Sequence, residues 1–195
     1  MNPERRAIAD EVFAAGRDYD AGQSNRLDRL RNVEPETAEL LGVLLRAARA
    51  RRVLEIGTSN GHSTLWLADA AESIGGHVQT LDIDPRRTQM AIANLQRAGL
   101  GDVAECRTIG AAQALAEYPN AAWDLIFLDA ERGEYAGYWP NLRRTLAAGG
   151  TIAVDNAVSH GSELTAFHRL LAADPRLTMT LVTVGAGLIL AVDGT

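Results

Sequence analysis

The sequence predicts an α/β fold of three layers, in which helices cover both faces of a mostly parallel, seven-stranded sheet. Two observations support this prediction. From Val53 onward, short apolar runs alternate with segments of helical periodicity, which is the pattern of repeated β-α-β units. Near the end, the strand-like runs LTMTLVTVG and AGLILAVDG are joined only by the region around Gly185. So short a connection permits only antiparallel pairing, so we expect a C-terminal antiparallel hairpin.

The predicted elements follow in order along the chain. The first fifty residues look helical, with breaks near 16–24 and 32–35, and Pro35 suits a helix start. Further helices are predicted near 61–72, 86–98, 110–118, 138–147 and 162–173. Strands are predicted near 52–57, 77–83, 102–107, 123–129 and 150–154, before the two runs of the hairpin.

Composition limits the classes of protein that remain. The chain has 195 residues, 47% hydrophobic and 23% charged, which suits a single domain over 1–195 with a helical extension at 1–50 and a ligand-binding core at 51–195. The single Cys106 excludes an internal disulfide, and no His/Cys spacing indicates zinc. No signal sequence or long apolar span is evident, so we expect a soluble cytoplasmic protein without membrane contact. The net charge of -6 disfavours nucleic acid as a partner, although a local basic strip is present at Arg26, Arg29 and Arg31.

The strongest local motif is VLEIGTSNGHSTLWLADA, in which a strand ends at Ile56 and the loop Gly57–Gly61 leads into a helix. Glycines at such a junction let the backbone approach a ligand, and the helix N-terminus offers free amides and a positive dipole end. The alternative is a tight turn that needs glycine only for its geometry. The same pentapeptide also matches the nucleophile elbow G-x-S-x-G, and Ser59, Asp129 and His160 occur in the chain order of an α/β-hydrolase. Because the pentapeptide follows the first predicted strand rather than a mid-sheet strand, its context disfavours the hydrolase.

The end of the next strand indicates what the glycine loop binds. Asp82 lies about twenty residues beyond the loop, where an acidic side chain can accept hydrogen bonds from both ribose hydroxyls of a nucleoside. The spacing from Gly57 to Gly61 does not supply the G-x-G-x-x-G that a pyrophosphate requires. A nucleoside without a pyrophosphate fits better, and S-adenosylmethionine is the common one. Asp84, directly before Pro85, is predicted to cap a helix.

Four motifs together resemble a known family. LEIGTSNGHSTLWLA, LDIDP, WDLIFLDAERGEY and GGTIAVDNAVSHG are similar to the successive motifs of the cation-dependent small-molecule O-methyltransferases. That group contains the catechol and caffeoyl-CoA O-methyltransferases and many short bacterial relatives. The resemblance runs from Glu36 to Gly161 and implies a class I methyltransferase fold (Rossmann-like), methyl transfer from S-adenosylmethionine to a small hydroxylated molecule, and a homodimer.

The resemblance also implies a cofactor site. Glu55 and the glycine loop would hold the methionine end of S-adenosylmethionine, and Ser63 would reach its carboxylate. Asp82 would hold the ribose, and the turn at 110–112 would lie against the adenine. The implied set is Glu55, Gly57, Thr58, Ser59, Gly61, Ser63, Asp82, Ile83, Gly110, Ala111, Ala112 and Asp129.

A metal site is implied at Asp129, Asp155 and Asn156, which match the family's ligands. All three follow predicted strands, so they should meet at the carboxyl edge of the sheet, where ligands bind in open α/β folds. Two carboxylates and an amide oxygen suit Mg²⁺, Mn²⁺ or Ca²⁺. The alternative is that Asp155 and Asn156 form a turn and Asp129 is a cap.

The proton acceptor is where the sequence departs from the family. The family commonly assigns this role to a lysine three positions after the first metal-binding aspartate, and here that position is Arg132. Arginine stays protonated, so it is a poor base, although it could stabilise an oxyanion or bind a substrate carboxylate. A surface salt bridge of Arg132 with Glu131 or Glu134 is the alternative. We expect either metal activation without a dedicated base, or His160 as the base, with Glu131 a further candidate.

Other residues remain open at this stage. A cofactor-side or structural role is expected for His62, and a structural or surface role for His168. Tyr135, Tyr138 and Trp139 could form the wall of an aromatic substrate pocket or pack a helix. Two alternative functions also remain: methylation of a hydroxyl on a modified RNA base, and metal-independent binding of S-adenosylmethionine or its product.

Overall fold

The computed structural model describes residues 1–194 and contains a seven-stranded mixed sheet. Its strands are β1 (Arg52–Ile56), β2 (His77–Asp82), β3 (Ala104–Thr108), β4 (Trp123–Leu128), β5 (Leu146–Val154), β6 (Leu177–Val182) and β7 (Leu188–Asp193). They lie in the order β3-β2-β1-β4-β5-β7-β6, with β7 antiparallel to both β5 and β6. The predicted fold class and the antiparallel hairpin at the end of the chain are confirmed.

Helices connect and cover the strands. They are α1 (Pro3–Ala21), α2 (Pro35–Ala48), α3 (His62–Glu72), α4 (Pro85–Arg97), α5 (Ala111–Glu117), α6 (Tyr135–Thr145) and α7 (Thr165–Ala173). Two predicted helix starts are confirmed: Pro35 opens α2, and the Asp84 side chain accepts a hydrogen bond from the Arg86 backbone N–H at the start of α4. The helices predicted to begin near 138 and 162 begin instead at Tyr135 and Thr165. Within residues 1–194, no helix is long and apolar enough to cross a membrane.

Some predicted boundaries were wrong for identifiable reasons. α1 does not break at Gly16 but continues to Ala21, because Gly16 serves close packing: a Cβ there would lie 2.3 Å from Nδ2 of Asn32. The strand predicted near 150–154 begins at Leu146, whose partner in β4 is Trp123. A register shift separates that pair from the next one, Leu125 with Thr151, so the two glycines that resemble a turn in sequence lie within an irregular part of β5.

Alternating side chains of the central strands separate the core into two layers. Val53, Leu125 and Phe127 pack on the side covered by α1 to α4, whereas Leu54 and Ile126 pack on the side covered by α5 to α7. All five side chains are fully buried. This alternation, with apolar residues on both faces, is what a sheet covered on both sides requires.

The strand register determines where the polar residues after each strand lie. Ile56 of β1 pairs with Leu81 of β2 and with Leu128 of β4, and Leu128 pairs with Val154 of β5. The residues that directly follow these pairs therefore come out at the same edge of the sheet. They are Gly57, Asp82, Asp129 and Asp155.

Candidate active site

A cavity of about 550 Å³ opens at this edge of the sheet. The predicted site residues that line it are Gly57, Ser59, Asp82, Ile83, Ala111, Asp129, Arg132, Asp155, Asn156 and His160. The remaining predicted cofactor residues do not line it. They are Glu55, Thr58, Gly61, Ser63, Gly110 and Ala112.

The glycine loop is shaped by contacts that exclude a side chain. Gly57 has φ +111°, and a Cβ on it would lie 2.1 Å from the backbone oxygen of Asp129. Gly61 has φ +86°, and its Cβ would lie 3.0 Å from Ala91 of α4. Only glycine adopts these conformations without strain and also permits these approaches. The loop is thereby held directly against the start of the segment that carries Asp129.

Asp82 holds the loop and also faces the cavity. Its Oδ2 accepts a hydrogen bond from the Ser59 backbone N–H at 2.9 Å, and its Oδ1 accepts one from the Asp84 N–H at 2.9 Å. Each carboxylate oxygen can accept a second bond, so the side chain can still receive ligand hydroxyls. Beside it, the Ile83 side chain is 77% exposed and offers an apolar surface at the cavity wall.

Glu55 lies behind the loop rather than in the cavity. It is fully buried, and its two carboxylate oxygens accept hydrogen bonds from Ser63 Oγ at 2.6 Å and Thr64 Oγ1 at 2.5 Å. Burial raises the pKa of Glu55 to about 7, although these hydroxyl donors oppose the shift. In this arrangement, Ser63 bonds to Glu55, and the pair fixes the first turn of α3 against β1.

Asp129 and Asp155 form a carboxylate pair at the floor of the cavity. Burial, and next the charge of Asp155, raise the pKa of Asp129 well above its usual range, while burial raises the pKa of Asp155 to about 7. Asp155 Oδ2 accepts a bond from Asn156 Nδ2 at 2.5 Å, whereas Asp155 Oδ1 is buried and has no hydrogen-bond partner among residues 1–194.

These features fit a hard divalent cation. An unpartnered buried carboxylate oxygen, a second carboxylate beside it and an amide side chain supply the oxygen donors that Mg²⁺, Mn²⁺ or Ca²⁺ prefer. Over the described part of the chain, no group of three or more His, Cys, Asp or Glu side chains has metal-binding geometry. The implied set contains only two residues of those types, so the asparagine would be needed to complete it.

Arg132 is buried in the cavity wall, with a side chain only 5% exposed. The alternative interpretation, a surface salt bridge with Glu131 or Glu134, was wrong: Arg132 is buried, and its Nε donates at 3.0 Å to Oε2 of Glu163, in the segment before α7. Glu131 instead pairs with Arg26 and Arg31, each at 3.0 Å. The basic strip of the sequence is therefore not a free cationic surface: two of its three arginines pair with Glu131.

The histidines occupy distinct environments. His160 lines the cavity and shares a hydrogen bond of 2.8 Å with Ser159 Oγ through its Nδ1. His62 is buried against Phe13, and burial lowers its pKa to about 4, which gives it a structural role. His168 is exposed on α7. The Ser59 hydroxyl donates to the backbone oxygen of Leu30, so the described residues contain no hydrogen-bonded Ser-His-Asp arrangement of a hydrolase.

Only one of the three candidate aromatic residues faces the cavity. Tyr138 lines it, and its hydroxyl donates to Glu134. Tyr135 is fully buried, accepts a hydrogen bond from the Ala130 backbone N–H and packs edge-on against Phe167. Trp139 also packs against Phe167. Tyr135 and Trp139 therefore pack α6 against α7, as the alternative interpretation held.

Sequence reasoning missed the segment that covers the cavity, residues 23–34, here called the strap. Arg87 of α4 donates to the backbone oxygens of Leu27 and Arg29 at 2.6 and 2.8 Å. Asp20 at the end of α1 accepts bonds from the backbone N–H groups of Leu30 and Arg31 at 2.6 and 2.8 Å. The strap has no helical or strand periodicity, so only its cluster of arginines could have indicated a site.

Comparison with known proteins gives a consistent result. The family model described as O-methyltransferase matches residues 20–193. A catechol O-methyltransferase of Mycobacterium tuberculosis is 38% identical over 132 residues, which are 68% of this chain and 60% of that relative. A putative O-methyltransferase of Mycolicibacterium smegmatis is 32% identical over 97% of this chain and 93% of its own length. Among solved structures, an O-methyltransferase from Bacillus cereus in complex with SAH is 31% identical, with a TM-score of 0.81 over 96% of this chain and 90% of that one.

Proposed function

Because the chain belongs to the O-methyltransferase family, we propose that it transfers a methyl group from S-adenosylmethionine to a hydroxyl of a small molecule, with the help of a divalent cation. One observation carries this proposal. The register of β1, β2, β4 and β5 brings the glycine loop, the ribose-binding candidate Asp82 and the carboxylates Asp129 and Asp155 to the same edge of one cavity. A cofactor bound at the first two and a cation bound at the carboxylates would therefore be adjacent, as a metal-assisted transfer between two bound molecules requires.

The cofactor would lie between the glycine loop and β2. Asp82 would accept hydrogen bonds from the ribose hydroxyls, while Ile83 and Ala111 would contact the adenine. Gly57 has no side chain, so the backbone there would approach the methionine end closely. A side chain at this position would also collide with the backbone of Asp129. Glu55 and Ser63 would act from behind, by fixing the turn from β1 into α3.

Asp129, Asp155 and Asn156 would hold the cation and, with it, the acceptor. A divalent cation bound there would lower the pKa of a coordinated hydroxyl and so favour the oxyanion that attacks the methyl group. Methyl transfer is an in-line displacement, so the acceptor oxygen must face the sulfonium of the cofactor. Gly57 follows β1 and Asp129 follows the neighbouring strand β4, so a cofactor at the first and an acceptor at the second would face each other.

His160 is the proposed proton acceptor. Its Nδ1 is bonded to Ser159, which leaves Nε2 free to take a proton from the acceptor, and its ring lines the cavity. Arg132 occupies the position of the family's lysine, but a guanidinium does not release its proton near neutral pH. We expect His160→Gln to lower kcat for a catechol by at least about tenfold, as loss of a general base does. His168→Gln, at an exposed histidine outside the cavity, should leave kcat unchanged.

The direct test of the function separates cofactor binding from turnover. S-adenosylhomocysteine should raise the melting temperature of the wild type but not of Asp82→Asn, whose amide cannot accept the same pair of ribose hydrogen bonds. Methylation of catechol should require Mg²⁺ and stop on addition of EDTA. Turnover that survives chelation would refute the cation, and absence of both cofactor binding and turnover would refute the proposed activity. Asp102→Asn, at an exposed turn residue, is the matched control.

The homodimer implied by the family resemblance remains a proposal. Light scattering coupled to size-exclusion chromatography would measure it: a dimer should give twice the 20.9 kDa mass of the chain, and a monomeric peak at micromolar concentration would contradict it.

A further inference from the structure

Five arginines line the cavity, and three of them have clear structural partners. Arg26 pairs with Glu131, Arg29 donates two bonds to the Gln23 backbone oxygen, and Arg87 holds two carbonyls of the strap. These side chains position the strap. The two that remain are distinguished by burial: Arg31 has a buried Nε without a partner among residues 1–194, and the side chain of Arg132 is only 5% exposed.

Arg132 is the more unusual of the two. A buried guanidinium is costly unless its N–H groups are accepted and its charge is balanced. Its only hydrogen bond within residues 1–194 leaves from Nε to Glu163, whose own side chain is 42% exposed. The two terminal nitrogens, Nη1 and Nη2, form the end-on face of the forked guanidinium group. They therefore have no acceptor within that part of the chain.

Arg31 also lines the cavity, and it has an unpartnered donor as well. Its Nη2 bonds to Glu131, but its Nε is buried and has no partner among residues 1–194. Its backbone has φ +53°, a conformation held by the hydrogen bonds that the N–H groups of Leu30 and Arg31 donate to the Asp20 carboxylate. The strap thus maintains a strained turn that keeps Arg31 at the cavity wall.

We propose that these two arginines bind a carboxylate of the methyl acceptor, so that the substrate class is a hydroxylated carboxylic acid. This inference rests on the proposed function and names the acceptor of that same site. The end-on face of Arg132 presents two parallel N–H groups, which match the two oxygens of a carboxylate. Attraction for an anion would be local to Arg31 and Arg132, because the lining as a whole has no surplus of positive charge: its six carboxyl side chains are Glu34, Asp82, Asp129, Glu131, Glu134 and Asp155, and its five guanidinium groups are Arg26, Arg29, Arg31, Arg87 and Arg132.

The test measures acceptor binding separately from turnover. The probes are 3,4-dihydroxybenzoate and its methyl ester, which share the hydroxyls but differ in charge. Calorimetry on the complex with S-adenosylhomocysteine and Mg²⁺ should show that the wild type binds the acid at least about tenfold more tightly than the ester. Arg132→Gln should remove that preference and leave ester binding unchanged. Arg132→Lys, which keeps the charge but not the fork, should restore it only in part.

One matched control and one substitute variant complete the test. Arg29→Gln removes the same charge from an arginine already committed to Gln23, so the preference for the acid should remain. Should Arg132→Gln fail to bind S-adenosylhomocysteine, Arg31→Gln carries the test, with a weaker but still acid-specific loss expected. Equal affinity of the wild type for acid and ester, or an equal loss of both in the arginine variants, overturns the inference. Selective binding of the acid without any methylation would instead count against the proposed function alone.

Discussion

Replacing Glu55 by glutamine should make the protein more stable at alkaline pH. Glu55 is fully buried behind the glycine loop, and burial raises its pKa from 4.5 to about 7. The hydroxyls of Ser63 and Thr64 donate to it, but they do not fully replace the water that an ionised carboxylate loses. Glutamine keeps the size and can still accept from one hydroxyl, while the other can rotate to accept from its amide.

The sign and size follow from linkage between protonation and folding. A carboxyl whose pKa is raised in the folded state contributes stability that is fully present below its unfolded pKa of 4.5 and is lost as the pH rises through about 7. From pH 5 to pH 8, the wild type should lose about 2.5 kcal/mol of unfolding free energy through this group alone. Glutamine does not titrate, so the glutamine variant escapes that loss.

Thermal unfolding followed by tryptophan fluorescence gives the measurement. The difference in melting temperature between Glu55→Gln and the wild type should move in favour of the variant by about 5 to 10 °C between pH 5 and pH 8. Glu105→Gln, the same change at an exposed position of β3, should show no such trend. A variant that is destabilised equally at all pH values, or most at pH 8, would refute the reasoning, because the hydroxyl donors would then outweigh burial.

Three further predictions concern the loop, the carboxylate pair and the strap. In a urea titration, Gly57→Ala should lower the free energy of unfolding by more than about 2 kcal/mol, because its Cβ would lie 2.1 Å from the Asp129 backbone oxygen. The control Gly99→Ala, also at positive φ but with open space around it, should lower it by only about 1 kcal/mol. Asp155→Asn should abolish the rise in melting temperature that Mg²⁺ gives the wild type, and a retained rise would place the cation elsewhere. Arg87→Met removes the two hydrogen bonds to the strap, which should lower the local stability of the strap by about 1 kcal/mol and speed its amide exchange about fivefold. The control Arg86→Met removes only the exposed ion pair with Asp84 and should leave that exchange unchanged.

Much of the fold was predictable because local signals agreed with the global arrangement. The strands end where apolar runs meet charged residues, and in a parallel sheet those ends share one edge, so the positions of Asp82, Asp129 and Asp155 followed from the strand assignments. The start of β5 at Leu146 was missed, because two glycines resemble a turn in sequence, whereas the pairing of Leu146 with Trp123 is a tertiary contact.

The partners of individual side chains were less predictable. The sequence indicated Glu131 and Glu134 as candidate salt-bridge partners of Arg132, because they are its neighbours in the chain. The partner is Glu163, which comes near only after α6 and β5 have folded back along the sheet. Likewise, nothing local in the strap indicates that Glu131 pairs with Arg26 and Arg31, because that contact spans about a hundred positions of the chain.

The strap links the cofactor side of the cavity to the acceptor side. On the cofactor side, the Ser59 hydroxyl donates to the Leu30 backbone oxygen at 2.8 Å, and Ser59 N–H is bonded to Asp82. On the other side, the next residue, Arg31, pairs with Glu131, two positions after Asp129. A cofactor that occupies the groove beside Asp82 would therefore contact the same loop that holds Arg31 in place. The acceptor should bind more tightly to the complex with S-adenosylhomocysteine than to the free protein. This coupling should weaken in Ser59→Ala, because the Ser59 hydroxyl bonds the glycine loop to the strap.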